Sequence, residues 1–298
     1  MKKQSGIQCY LYIFSLEMIT NICICGAGTM GSGIAQLAAR SGLDTILYEV
    51  NGEVLAKAKK TIDANLQMLA EKGKITFDEK ERIYQRIRFT NNVIDCTSDI
   101  IIEAIVENAE AKIRLLTQLA GVNNHEAIFA TNTSSLSVTS LADRIPQRDR
   151  FLGMHFFNPA PVMKLVEIVN TNYTTEPVIK VVSDLSQKMG KVPVVCKDSP
   201  GFIVNRVARP FYIESLRLLE EGQISLETID SLLEASGFKL GPFKLMDLIG
   251  NDINYSVSCS VYEQLNKPER LRPSSIQKEK VQKGELGKKT GKGYYKYN

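Results

Sequence analysis

The chain has two imidazoles, His125 and His155. His125 lies in the polar stretch "GVNNHEA" and reads as a solvated surface residue. His155 stands late in the apolar run "FLGMHFF", which is followed by "NPAP" and a second apolar run, "VMKLVEIV". Asn158 to Pro161 has turn chemistry, so the two runs are expected to pair as a hairpin centred near residue 161. That register sets His155 opposite Glu167, with Cβ atoms within about 5.5 Å of each other. A carboxylate beside an imidazole fixes its tautomer and stabilises the imidazolium, which is what a general base for an alcohol proton requires. The same spacing also fits a buried histidine satisfied by a structural glutamate.

A second group of residues has the chemistry of a phosphate cradle. "ICICGAGTMGSGIAQ" runs from an apolar strand pattern through Gly26, Gly28 and Gly31 into a small-residue helix pattern. The spacing is G-x-G-x-x-G. Gly26 permits the tight turn, Gly28 lets a pyrophosphate touch the backbone, and Gly31 lets the helix pack on the strand. Thr29 and Met30 open the helix, whose N–H groups and dipole favour phosphate. Glu49 ends the next strand pattern, 23 residues after Gly26. A carboxylate there accepts from ribose hydroxyls and repels a 2′-phosphate, and no arginine follows it, so NAD is expected rather than NADP. A structural glycine turn beside a surface glutamate is the plainer alternative.

The elements that would position these residues follow from periodicity. Strands are expected at 19–25, 44–50, 99–106, 127–132, 151–157, 163–169 and 191–196, with helices at 29–41 and 109–120. Between residues 53 and 86 two helices form an inserted hairpin, the second opened by a Thr76/Glu79 capping box. Strands alternating with helices predict an α/β fold with a Rossmann-like, doubly wound, mostly parallel sheet. After Cys196 the pattern becomes helical to about residue 283. Ser199 is the expected N-cap, Pro200 the first helical residue and Gly222 the stop. The expected organisation is an N-terminal extension (1–17), an NAD-binding Rossmann-like domain (18–199) and an all-α domain (200–298). A ligand cleft is expected where the last two meet.

Composition excludes several classes. A net charge of +4 over 298 residues carries no basic stripe for nucleic acid. No apolar run reaches the ~20 residues of a membrane span. The start, "MKKQSGIQCYLYIFSLEM", has a short apolar patch, but Glu17 interrupts it and no cleavage site follows, so a cytoplasmic protein is expected, with Met18 a candidate natural start. The six cysteines are scattered. Cys23 and Cys25 read as small buried hydrophobes rather than thiolate ligands, and no metal is expected.

Taken together, "GAGTMGSGIAQ", "IIEAIVENAEAK", "TNTSSLS", "HFFNPAPVMKLVEIV", "KDSPGFIVNR", "GPFKLMDLIG" and "KKTGKGYYKY" resemble the L-3-hydroxyacyl-CoA dehydrogenases, in particular the stand-alone 3-hydroxybutyryl-CoA type, over residues 19 to 297. The resemblance implies reversible, NAD-dependent oxidation of a short-chain L-3-hydroxyacyl-CoA, and a homodimer formed through the helical domain. It implies His155 as base, Glu167 as its orienting partner, and Ser134 and Asn205 as substrate-positioning residues. Glu107, Lys112, Ser134, Asn158 and Lys289 match NAD-contacting positions, and Asn65 and Lys72 match coenzyme A contacts. Plainer roles stand beside these: a helix N-cap for Ser134, an exposed helix face for Asn205, a surface ion pair for Glu107 and Lys112, and a solvated turn for Lys72. The sequence departs from the family in having Glu49 where aspartate is common and Asn65 where serine is frequent. "GNDINYSV" is more polar than expected after "DLIG", and residues 1–17 have no counterpart. The alternatives are a dehydrogenase of a free hydroxy acid or sugar acid, and a non-catalytic structural protein on the same fold.

Overall fold

The computed structural model describes residues 19–222 and 224–297. The expected N-terminal extension, with Cys9, lies outside the described residues. Two compact units emerge. One holds the chain up to Thr133 together with Val138–Lys197; the other holds Ser134–Ser137 and the chain from Asp198 onward.

The first unit is built on an eight-stranded sheet. Its elements run β1 (Asn21–Cys25), α1 (Thr29–Arg40), β2 (Asp44–Tyr48), α2 (Gly52–Glu71), α3 (Phe77–Gln85), β3 (Ile87–Thr90), β4 (Ile100–Glu103), α4 (Ala109–Val122), β5 (Ile128–Thr131), α5 (Val138–Ala142), β6 (Phe151–Phe156), β7 (Leu165–Asn170), α6 (Glu176–Lys188) and β8 (Val192–Lys197). The strand order is β3-β2-β1-β4-β5-β6-β7-β8. Pairs from β3 to β6 are parallel, β6 and β7 are antiparallel, and β8 is parallel to β7. The chain leaves β1 towards β2 and returns on its other side at β4, so the order reverses between β1 and β4. The loops after these two strands flank the crevice where doubly wound sheets bind ligands. Strands β1, β4 and β5 are apolar almost throughout because helices cover both of their faces.

Local chemistry fixes the helix ends. The Asn51 side chain accepts from the Glu53 and Val54 N–H groups at the start of α2. Thr76 and Glu79 form the expected reciprocal capping box on α3.

Three expectations need correction. β3 was not expected. It is a short edge strand in which only Ile87 and Thr90 are buried and Arg88 is exposed, too little alternation to read as a strand. The strand expected over 99–106 stops at Glu103, because its carboxylate accepts the Ile105 N–H at 2.7 Å and turns the chain. The helix expected from Pro200 begins at Val204. Gly201 at φ +73° and Phe202 at φ +48° are left-handed, which no right-handed helix admits, so Ser199–Phe202 closes as a turn instead.

The second unit contains α7 (Val204–Glu220), α8 (Leu226–Ala235), α9 (Pro242–Ile249), α10 (Asn251–Gln264) and α11 (Ser275–Gln282). Tyr212, Leu216, Ile229, Phe243, Met246 and Tyr294 form its main core cluster. Two buried aspartates organise the ends of these helices. Asp230 accepts from the Phe243 and Lys244 N–H groups at the start of α9 and from the Tyr295 hydroxyl. Asp247 accepts from the Asn251 amide, the Tyr294 and Tyr295 N–H groups and the Tyr297 hydroxyl, tying the C-terminal segment down. Among the described residues no helix is long and apolar enough to cross a membrane.

Asp247→Ala leaves four donors without this acceptor. It is expected to cost about 3 kcal/mol or more and to open residues 285–297 to proteolysis. Urea unfolding and limited digestion measure the two effects, and Asp247→Asn, which keeps one acceptor oxygen, should lose less.

Candidate active site

The site is built from the hairpin outward. In the β6–β7 pairing His155 stands directly opposite Glu167. His155 Nδ1 lies 2.7 Å from Glu167 Oε2, with His155 6% and Glu167 0% exposed. An ionised carboxylate can only accept, so Nδ1 carries the hydrogen and Nε2 holds the lone pair that takes a proton. The Phe157 ring packs against the imidazole, centroids 4.5 Å apart. The turn joining the strands is held from beneath by Lys191, whose Nζ donates to the Ala160 and Met163 carbonyls. Asn158 is exposed in that turn.

The glycine loop has the shape its spacing demands. A Cβ on Gly31 would stand 1.7 Å from the Gly26 carbonyl oxygen, so the helix can approach only as glycine. A Cβ on Gly28 would meet nothing within 4 Å, which leaves the loop open where a pyrophosphate would rest. Gly28 and Thr29 are exposed and Met30 half-buried. Glu49 sits just beyond β2. Its Oε2 accepts the Ala27 N–H and its Oε1 the Asn51 N–H, both at 3.0 Å. The longer side chain is thereby fixed beside the loop, in the place of a ribose-binding carboxylate. These residues fit a dinucleotide.

Across the crevice, at the end of β4, sequence reasoning missed a residue. Glu103 is completely buried, and Lys112, which is 1% exposed, donates to it at 2.6 Å. Thr131 Oγ1 donates to the other oxygen at 2.6 Å. Lys112 also lies 3.2 Å from Glu107, and Glu107 accepts from Thr133 Oγ1 at 2.6 Å. Burial pushes the Glu103 carboxyl above its ordinary range, while Lys112 and the hydrogen bonds pull against it. Lys112 and Glu107 are thus no surface pair. The lysine is sealed between two carboxylates, and Glu107, which is exposed, is the member that faces outward. The available signal was a single carboxylate ending the run "DIIIE", nine residues before a lysine.

The remaining candidates lie as follows. Ser134 and Asn205 belong to the second unit, where Asn205 Nδ2 reaches the Ser134 carbonyl at 3.4 Å. The expected catalytic residues therefore form two pairs, one in each unit. Lys289, also in the second unit, is exposed and bonds both oxygens of Asp252. Asn65 is half-buried on α2 and donates to Gln36 at 3.4 Å. Lys72 caps the C-terminus of α2 and is exposed. Cys23, Cys25 and Cys96 are buried free thiols. Among the described residues no cluster of histidine, cysteine or acidic side chains could hold a metal ion.

The nucleotide crevice of a doubly wound sheet, joined to a buried imidazole–carboxylate pair, defines an oxidoreductase of the dinucleotide-dependent dehydrogenase class. The description "3-hydroxyacyl-CoA dehydrogenase, NAD binding domain" matches residues 21–199, and that family's C-terminal domain matches 201–297. The chain belongs to the 3-hydroxyacyl-CoA dehydrogenase family, and its first unit carries the family's NAD-binding domain. It is 44% identical over 279 residues to the 3-hydroxyadipyl-CoA dehydrogenase of Escherichia coli K12, covering 93% of this chain but 59% of that one. It is 39% identical to the mitochondrial hydroxyacyl-coenzyme A dehydrogenase of Sus scrofa, covering 94% and 92%. Among solved structures, the (S)-3-hydroxybutyryl-CoA dehydrogenase of Ralstonia eutropha superposes with a TM-score of 0.90 at 39% identity, covering 94% and 99%.

Lys112→Met would bury Glu103 beside Glu107 with no cation between them. A loss of about 3–5 kcal/mol is expected, read by thermal or urea unfolding. Adding Glu103→Gln to it should restore part of that loss.

Proposed function

We propose that this chain catalyses the reversible, NAD-dependent oxidation of an L-3-hydroxyacyl-CoA, with a short chain such as 3-hydroxybutyryl, to the 3-ketoacyl-CoA. The observation that carries the reading is the sealed His155–Glu167 pair at 2.7 Å. Bound NAD supplies the hydride acceptor. His155 Nε2 takes the proton of the C3 hydroxyl as the alcohol is oxidised and returns it in the reverse direction. Glu167 keeps Nδ1 protonated and stabilises the imidazolium that forms. Ser134 and Asn205 hold the hydroxyl and thioester ends. Glu49 takes the ribose hydroxyls beside the Gly26–Gly31 loop, with Thr29 and Met30 at its helix start. Glu107, held by Lys112, contacts the nicotinamide half, as do Asn158 and Lys289. Lys72 and Asn65 on α2 meet the coenzyme A moiety; the exposure of Lys72 supports its part.

Cys23, Cys25, Cys96 and Cys259 are thiols rather than disulfides, which supports a reducing, cytoplasmic setting. Leu232, Phe238, Leu248 and Ile253 are exposed on the helical unit and support a homodimer through that unit. Light scattering at micromolar concentration should return twice the chain mass, and a monomer would reject the dimer.

The deciding assay is oxidation of NADH in the presence of acetoacetyl-CoA. Turnover by the wild-type chain is expected, and its absence overturns the short-chain reading. His155→Gln should lower kcat by roughly 10²- to 10⁴-fold while NADH still binds; retained turnover would remove His155 from the role of base. Glu49→Ala should weaken NAD binding about tenfold or more, and a native preference for NADP would contradict the role given to Glu49.

A further inference from the structure

The helical unit contains a buried cation with no acidic partner. Arg209 lies on α7 one turn beyond Asn205 and is 3% exposed. Its Nε donates to the Asn205 carbonyl at 2.8 Å, and its Nη1 to the Asn254 carbonyl at 3.0 Å and Ser258 Oγ at 2.9 Å. All three acceptors are neutral. Among the described residues no carboxylate pairs with it, and Nη2 makes no hydrogen bond. The Tyr212 ring lies under the guanidinium, 4.9 Å from its carbon.

The helix facing it carries the polar stretch that the family pattern does not explain. Asn251, Asn254 and Ser258 are buried along α10, where a packing face would be apolar. Asn254 Oδ1 accepts from Gln277, but Asn254 Nδ2 is sealed from solvent without a partner. Arg209 and Asn254 thus have donors to spare and meet no negative charge, while the sealed, unpartnered acceptor on α10, Asn251 Oδ1, stands one turn earlier and does not answer them. Such an arrangement is costly unless a ligand completes it. Desolvation accordingly pulls the guanidinium down to about 10.

A single guanidinium with one unused amino edge suits a carboxylate, which it binds in a planar, charge-assisted contact. The position also matches. Asn205, which reaches Ser134, is the residue assigned to the thioester end, and Arg209 follows four residues later, about 6 Å along the helix axis. That step spans a short run of methylenes.

We propose that Arg209, backed by Asn254 and Ser258, recognises a carboxylate at the far end of the acyl chain, and that the preferred substrate is a 3-hydroxyacyl-CoA ending in an acid rather than a methyl group. The inference rests on the dehydrogenase reading above and adds the chemical class of its acyl chain.

The test compares kcat/KM of the full chain for 3-oxoadipyl-CoA, which ends in a carboxylate, and for 3-oxohexanoyl-CoA, of the same length without one; acetoacetyl-CoA serves as the reference for the reaction itself. Wild type should favour the acid-ended chain by roughly 10- to 100-fold. Arg209→Met should bring the ratio of the two close to one, and Arg209→Lys should keep part of the preference. A ratio is read because structural damage lowers both rates together. If Arg209→Met does not fold, Arg209→Lys decides, and a ratio in it equal to the wild type's overturns the proposal. A wild-type ratio near one, or one that survives in Arg209→Met, overturns the proposal and leaves Arg209 as a strut between α7 and α10. Turnover of acetoacetyl-CoA with a ratio near one rejects this inference while keeping the dehydrogenase reading. Failure on all three substrates rejects both.

Discussion

The antiparallel register between β6 and β7 is the constraint on which the chemistry depends. Side chains alternate across a strand with period two, so a slip of one residue would turn Glu167 to the opposite face and leave His155 beside an aliphatic neighbour. Three contacts hold the register. Phe156 N–H donates to the Asn132 side chain, which anchors β6 to the end of β5. β8 pairs along the whole of β7, from Leu165 to Asn170. Lys191 fixes the turn by donating to its carbonyls. The hairpin is the one place where this sheet changes direction, and the imidazole and its carboxylate face each other from its two arms.

The crevice between β1 and β4 is held by different physics. On one side, Gly31 and Gly26 allow backbone to approach backbone more closely than any side chain would permit. On the other, a buried ionic chain fixes the loop after β4. Removing Lys112 and Glu103 from water is expensive, and the site recovers that cost through short bonds from Thr131 and the Ile105 N–H as well as from the lysine, while Thr133 holds the exposed Glu107. Such a network is a poor source of stability, but it allows few alternative arrangements. It presents Glu107 at the crevice from a rigid base, while the residues behind it carry the desolvation.

Much of this was legible in the sequence wherever the information is local. The glycine spacing, the Thr76/Glu79 box, the turn at Asn158–Pro161 and the distance from His155 to Glu167 each depend on residues within a dozen positions of one another. Interactions between distant residues were harder to read. Lys112 reads as a surface charge because nothing nearby in sequence says that Glu103 will end a fully buried strand beneath it. β3 escaped because an edge strand with two buried residues has no periodicity to detect. The start of α7 was misplaced because Ser199-Pro200 imitates a helix start. Gly201 and Phe202, both left-handed, show that Pro200 belongs to a turn instead.

The helical unit contains two kinds of buried charge, and the contrast between them is informative. Asp230 and Asp247 are saturated with donors. Asp230 takes the leading N–H groups of α9, where the helix dipole favours an anion, and Asp247 takes two backbone N–H groups and two side-chain donors from the C-terminal segment and α10. Each negative charge is answered within the unit, and each joins segments that would otherwise separate, so both aspartates read as structural. Arg209 is held by carbonyls within the run of α7 and α10, at no helix C-terminus, and by a hydroxyl; it meets no negative charge. A chain under selection for stability alone could place an apolar side chain there, filling the same volume without the desolvation cost. Retaining a guanidinium beside an unpartnered asparagine amide, one turn from Asn205, makes physical sense when the missing charge arrives with the substrate.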